Sequence, residues 1–318
     1  MFVCSFTKMR NKNLNTLLIS YCLLLIVSGL NAKSVVDVDG SILNEINANP
    51  SIGYLIKFHA PWCGHCRHFE PIYEAVAKEV EDLSATDDDF KNIRIVRIDA
   101  TVHSNVANYY DIRGFPTVKF IRGSQIISYE NERTKTAVIN FLRRVNGPSI
   151  RWIDSIEQFN DIRREHDVFF LYLTNNENEQ LFQQYEQTVN RYLSQAYFYA
   201  TNSSVIQQKF FPTYQTEILA VKNDGFYLYK NSNDDNNTLD DFILKEKLTT
   251  YPQIASGNMY DLILTKKIIV IFGFNEKTNR DEIKSQILNY ITKHSNDLHE
   301  NFQFAWTNDL DLLNNIGN

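Results

Sequence analysis

From Ser34 onward the chain alternates strand and helix patterns, and nothing else in it narrows the fold as much. Val35–Val38 reads as a short strand, and Ser41 is placed to cap a helix running to about Ala48. Tyr54-Leu55-Ile56-Lys57-Phe58 is apolar at most positions, as a parallel strand covered on both faces is. A helix is predicted from Cys63 to about Leu83, kinked at Pro71. Then come a strand at Ile93–Ile98, a helix at Ser104–Tyr110, and a hairpin of Thr117–Ile121 and Ile126–Tyr129 around Arg122-Gly123. A helix at Thr134–Val145 closes the unit before the Asn146-Gly147-Pro148 boundary. Such an order specifies an α/β unit: a mixed central sheet flanked by helices.

The order then restarts. Val168–Leu173 is a central strand, Glu179–Leu193 a helix, and Ala196–Ala200 a strand. Glu217–Val221 and Phe226–Tyr229 form a hairpin, and Leu239–Lys247 is the closing helix. A third pass begins near Tyr251, with a strand at Lys267–Phe274, a helix at Asp281–Lys293, a strand at Phe302–Trp306 and a short helix at Asn308–Ile316. The expected organisation is 33–147, 148–250 and an incomplete third unit at 251–318, as in a truncated chain or a short splice form. An incomplete unit of this kind leaves a sheet edge uncovered.

Residues 1–32 stand apart. Lys8, Arg10 and Lys12 precede an apolar run from Leu14 to Leu30, and Asn31-Ala32 end it. That is the layout of a secretory signal peptide cleaved after Ala32, a retained anchor helix being the competing reading. Cleavage removes three of the 32 basic residues and none of the 38 acids, leaving 29 against 38, a net of −9. With no basic stripe, nucleic-acid binding is excluded. Cleavage also removes Cys4 and Cys22, so the mature chain keeps only Cys63 and Cys66. A bridge closing so short a loop constrains the unfolded chain little, so stabilisation explains it poorly and redox chemistry explains it better.

The pair sits in Ala60-Pro61-Trp62-Cys63-Gly64-His65-Cys66, where a strand gives way to a helix. A helix N-terminus offers unpaired N–H groups and partial positive charge, which favour a thiolate at Cys63. His65 adds a polar neighbour, and Cys66, one turn on, is placed to resolve a mixed disulfide. On this reading Cys63 is the exposed nucleophile. Two rivals are an inert structural bridge and a zinc site recruiting His59, His65 or His68, although structural zinc wants four ligands and no second cysteine pair exists.

Taken with Asp99-Ala100-Thr101 and Arg113-Gly114-Phe115-Pro116-Thr117, that motif resembles the catalytic thioredoxin domain of the protein disulfide isomerase family over residues 34–147. Arg143-Arg144-Val145-Asn146-Gly147, Val168–Tyr172 and Asn301-Phe302-Gln303-Phe304 are similar to the thioredoxin-related transmembrane members of that family. The resemblance implies tandem thioredoxin-like domains. It also implies a cis-proline at Pro116 beside the sulfurs, an arginine at Arg113 that modulates ionisation of the second cysteine, and an apolar rim of Trp62 and Phe115 for unfolded clients. A membrane anchor is expected in the family but is absent from this chain. One departure concerns Lys57, which stands where the family carries a buried acid, while Arg97 matches the acid's usual lysine partner. Two cations without a carboxylate are then expected near Cys66, which would retain the disulfide half-reaction but alter its proton transfer. The bland alternative is that Lys57 snorkels to the surface.

In the second unit Thr174-Asn175-Asn176 takes the place of the cysteines and Thr216-Glu217 that of the cis-proline, so it is expected to be redox-inactive, a spacer and platform. Client binding through Phe198, Tyr199, Phe210 and Phe211 is the functional alternative. Sequons at Asn202 and Asn236 fit lumenal exposure. The implied function is protein dithiol–disulfide exchange in the lumen of the endoplasmic reticulum, needing no organic cofactor or metal. Its partners would be unfolded or misfolded secretory proteins, with glutathione or another oxidoreductase for recycling. A client-binding holdase with secondary redox activity and a dedicated reductase are the alternatives.

Overall fold

A computed structural model describes residues 35–174, 179–213, 216–230, 238–254, 258–274, 279–309 and 312–313. The expected signal segment, Asn236 and most of the expected helix at 308–316 lie outside them. The chain divides into two compact units, Met1–Asn146 and Gly147–Asn318.

The first unit holds β1 (Val36–Asp37), α1 (Ile42–Ala48), β2 (Gly53–His59), α2 (Gly64–Ser84), β3 (Ile93–Asp99), α3 (Ser104–Tyr109), β4 (Thr117–Arg122), β5 (Gln125–Ser128) and α4 (Lys135–Asn146). Its sheet runs β1-β3-β2-β4-β5, with β1, β3 and β2 parallel and the β4–β5 hairpin antiparallel. Alternation along β2 sends Leu55 to the face covered by α2 and α4, where it meets Phe69, Tyr73, Phe120 and Phe141. Tyr54, Ile56 and Phe58 go to the other face, against Ile42 and Ile46 of α1 and Val106 of α3. Gly123 turns the hairpin at φ +56°, a conformation that favours glycine. Ser41 occupies the N-cap of α1 but its side chain caps nothing; its own N–H instead donates to Asp39 Oδ1 at 2.8 Å.

The second unit repeats this plan with β6 (Arg151–Trp152), α5 (Ile156–Glu165), β7 (Val168–Leu173), α6 (Glu179–Tyr192), β8 (Phe198–Thr201), α7 (Ser204–Phe210), β9 (Glu217–Lys222), β10 (Gly225–Leu228) and α8 (Leu239–Glu246). Its sheet order, β6-β8-β7-β9-β10, matches the first strand for strand, parallel and antiparallel pairs included. α9 (Met259–Leu264), β11 (Ile268–Gly273), α10 (Arg280–Lys293), α11 (Ser295–Leu298) and β12 (Phe302–Thr307) follow. β11 and β12 pair in parallel, and Gln253 bridges to Trp306 as β1 pairs with β3. The sequence pattern missed β6, α5 and α7, which complete the second repeat. Phe198, Tyr199 and Phe211 are buried in it, and Phe210 packs on the cluster that holds Tyr199 and Phe211, so these aromatics are core and not a client surface.

One device recurs in both sheets. Tyr73 on α2 donates its hydroxyl to the Leu55 and Val96 carbonyls at 2.7 and 3.0 Å. Tyr185 on α6 does the same to Phe170 and Tyr199 at 3.1 and 3.0 Å. Each hydroxyl pins a helix across the two central parallel strands. Tyr73→Phe and Tyr185→Phe are each expected to cost about 1–2 kcal/mol, because buried carbonyls lose a donor. The check is a lower urea midpoint for the transition of the affected unit; an unchanged midpoint for both variants would show the hydroxyls to be idle.

Candidate active site

Cys63 ends the loop after β2 with extended backbone (φ −75°, ψ 112°) and serves as the N-cap of α2. Its Sγ accepts the Cys66 N–H at 3.1 Å, one of the orphan donors of the helix start. Cys63 and Cys66 form a disulfide. Their relative exposures, 6% and 4%, are nearly equal, so the first sulfur is not the exposed one expected. The reason is cover: Ala60 and Phe115 pack against both.

Around the pair, Trp62 stands 71% exposed and meets Phe115 edge-on with centroids 6.0 Å apart. The Phe115–Pro116 bond is cis and Pro116 is buried. Gly64 and His65 are exposed on the first turn, and a side chain at Gly64 would meet open space. Arg113 is not brought to Cys66. Its side chain is 85% exposed and pairs with Asp111, two residues back in the same surface loop, at 3.0 Å. Thr174 and Thr216, the counterparts in the second unit, face each other with hydroxyls 3.5 Å apart. Asn202 is exposed.

Lys57 departs from both sequence expectations. It does not snorkel: it is fully buried, on the face of β2 that α2 covers. Nor does it lack a carboxylate. Glu70, four residues past Cys66 on α2, takes the Lys57 ammonium on Oε2 and Arg97 on Oε1. Arg97 continues to Glu74 at 3.2 Å and to Asp37 at 2.7 and 2.8 Å. Burial pushes the Lys57 ammonium below its ordinary pKa, although Glu70 opposes this. Burial pushes the Glu70 carboxyl up, but the hydrogen bonds from Lys57 and Arg97 outweigh it and hold it below the usual value. The sequence did carry a signal for Glu70: a lysine inside an apolar strand needs a counter-ion, and a glutamate at i+4 from Cys66 lies on the covering helix.

Among the described residues, no three metal-ligating side chains converge, and no helix is long and apolar enough to cross a membrane. The thioredoxin family profile matches residues 35–144. Protein disulfide-isomerase TMX3 of Xenopus laevis is 29% identical over 266 residues, covering 83% of this chain and 57% of that protein. The human protein of the same name is 28% identical over 285 residues, covering 89% and 60%. The solution structure of the first thioredoxin domain of mouse protein disulfide-isomerase A4 is 31% identical and covers 38% of this chain and 80% of that one, with a TM-score of 0.32. The chain thus spans less than two thirds of the length of those TMX3 relatives.

Proposed function

We propose that the chain is a dithiol–disulfide oxidoreductase of the protein disulfide isomerase family working through Cys63 and Cys66, a reading supported by the thioredoxin profile match at 35–144 and by similarity to the TMX3 proteins along most of its length. The observation that carries this reading is the placement of Cys63 Sγ as the cap of a 21-residue helix, bridged to Cys66. The N–H of Cys66 that the sulfur accepts there would also hold a thiolate. In the oxidising direction, a client thiolate attacks Cys63 Sγ, the Cys63–Cys66 bond breaks, and Cys66 takes the electron pair. A second client thiolate then attacks the client sulfur of the mixed disulfide and releases Cys63 as thiolate. In isomerisation or reduction, Cys63 attacks a client disulfide, and Cys66 resolves the product by attacking Cys63 Sγ.

Trp62 and Phe115 supply an apolar lip for an unfolded chain, and Pro116, cis after Phe115, would border the sulfurs. Arg113 would act on Cys66 only after leaving Asp111. The apolar leader and the sequons at Asn202 and Asn236 support secretory clients and a site of action in the endoplasmic reticulum lumen, with glutathione or another oxidoreductase restoring the disulfide. The second module, with Thr174 and Thr216 in place of the reactive groups, is a platform.

Equilibrating the full chain against glutathione buffers tests the reading. A potential near about −180 mV is expected for an oxidase or isomerase, and one near about −270 mV would make it a reductant. Cys66→Ala should accumulate mixed disulfides with unfolded, thiol-bearing clients. A pair that never cycles, and a variant that traps nothing, would refute the proposal.

A further inference from the structure

Among the described residues of the first unit, five large apolar side chains are exposed, and the three most exposed share one end of it. Trp62, Val102 and Tyr109 stand 71%, 69% and 66% exposed, against 53% for Val36 and 49% for Ile126. A lone exposed apolar residue is ordinary, but several beside one reactive site mark an interaction surface. Their shared address follows from the sheet. β2 and β3 run parallel, and where they end together the Ala100 N–H donates to the His59 carbonyl at 2.9 Å. Trp62 lies three residues beyond His59, and Val102 two beyond Ala100. Adjacent strands are about 4.8 Å apart, so the loops carrying these side chains rise next to each other.

A tight turn presents Val102. Asp99 accepts the Thr101 N–H and hydroxyl at 2.9 and 2.6 Å, and its carbonyl accepts the His103 N–H at 2.9 Å. Tyr109 ends α3. Its ring meets that of Tyr110 edge-on at 5.0 Å, and the buried Tyr110 packs on Phe58, near the end of β2, at 5.8 Å. Phe115, which covers both sulfurs and meets Trp62, packs against the cluster that holds Phe58 and Tyr110. One packed set of side chains thus ties Tyr109 to the disulfide.

Resting on the oxidoreductase reading, we propose that Val102 and Tyr109 widen the lip of Trp62 and Phe115 into a surface that selects clients. It takes an extended segment with an aromatic or large aliphatic side chain close to its cysteine and no acid beside it. The chemistry fixes the occupant. During exchange the client cysteine is bonded to Cys63 Sγ, so the chain lying across the neighbouring loops is the client's own. An extended chain advances about 3.3 Å per residue, so a side chain two to four residues from that cysteine reaches roughly 7–13 Å to either side. Charge sets the second preference. Asp99 lies at the base of the Val102 turn, and the exposed Asp39 joins it through Gly40, where a Cβ would stand 3.7 Å from His103 Nδ1. The Asp111 charge, by contrast, is met by Arg113 at 3.0 Å. An acidic client residue would therefore face like charge, and an apolar one would bury area on Val102 or Tyr109.

Three reduced peptides of about ten residues test the surface, alike except for phenylalanine, alanine or glutamate three residues from a single cysteine. Opening of the Cys63–Cys66 disulfide by each peptide, and by glutathione, is followed in the full chain by stopped-flow at one pH. The parent is expected to react about tenfold faster with the phenylalanine peptide than with the glutamate one, the alanine peptide falling between. Val102→Ser and Tyr109→Ser should each lower the phenylalanine-to-alanine rate ratio by about threefold. Both positions are solvent-exposed, so neither change threatens the fold. A ratio between peptides also cancels any change in the sulfurs themselves, which would slow all three alike. Ile126→Ser should keep the parental ratio, because Ile126 pairs with Ile121 and Ile121 with Tyr54, at the opposite end of β2. Equal rates for the three peptides, or parental ratios in both the Val102 and Tyr109 variants, overturn the surface and leave the oxidoreductase reading standing. A disulfide that no thiol opens, glutathione included, overturns both.

Discussion

Cys63→Ser is expected to remove disulfide exchange altogether, lowering the rate toward the uncatalysed background by on the order of 10⁴-fold or more, because a serine hydroxyl at the same cap is neither ionised nor sulfur-reactive. The fold should survive. The sulfur occupies an N-cap, where serine is among the favoured residues, so the Cys66 N–H keeps an acceptor. Losing the Cys63–Cys66 bridge removes a loop closure of only three residues' separation, which constrains the unfolded chain little. Exchange is read with a reduced, unfolded client and glutathione, alongside suppression of client aggregation by the same variant. Exchange lost with aggregation suppression retained would mean that client binding resides in Trp62, Phe115 and their surroundings, independent of the thiolate. Exchange retained would place the chemistry somewhere other than Cys63 and end the proposal. Exchange intact in the parent but aggregation unaffected by either protein would dispose of the holdase alternative.

The reactive pair was legible because its chemistry is local. A cysteine at a strand–helix junction, a second one turn on, and a proline before the next antiparallel strand are all visible in a few consecutive residues. The two repeats were legible for a similar reason: Val168–Leu173 and Tyr54–Phe58 are apolar runs of strand length between turn signals. What escaped is short or long-range. β6 has two residues, too few for any periodicity, and α7 has seven with only Ile206 fully buried. The pairing of Lys57 with Glu70 needed the knowledge that α2 lies over that face of β2. Arg113 shows the converse limit: its position in the motif is clear, but the carboxylate of Asp111 captures it in the loop, which no motif records.

The same blindness hides a buried charge cluster of the second unit, whose members lie at positions 222, 246, 267 and 299. Glu246 Oε2, at the end of α8, sits 2.9 Å from Lys222 Nζ and 2.9 Å from His299 Nε2, while Oε1 sits 3.5 Å from Lys267 Nζ. The Glu246 Oε2 contacts are ion pairs whose angles fall short of hydrogen-bond geometry. His299 stacks on Tyr227 with ring centres 3.4 Å apart. One carboxylate thus serves two fully buried ammoniums and an imidazole. Glu246→Gln keeps the shape and removes the charge, so it is expected to destabilise this unit by about 3–5 kcal/mol at pH 7, the cost of leaving buried cations uncompensated. The pH dependence has a fixed sign. Burial pushes the Glu246 carboxyl up, but Lys222, His299 and Lys267 outweigh it and hold it far below its usual range, so its stabilisation is full above about pH 4.5 and lost in acid. Burial pushes His299 below its ordinary value of 6.5 and Lys267 down to about 8. Both therefore bind protons more readily once unfolded, and stability rises with pH through each window, for Lys267 between about 8 and 10.5. The parent's transition should weaken steadily below about pH 6.5. Glu246→Gln should recover part of its loss as pH rises toward about 8, because Lys267, stripped of its counter-ion, sheds its proton at a lower pH in the variant than in the parent. Thermal and urea unfolding of both proteins across pH 4–10 measure this. A difference under about 0.5 kcal/mol at pH 7, or one that alkaline pH does not reduce, would mean that water and packing, rather than Glu246, stabilise the two lysines.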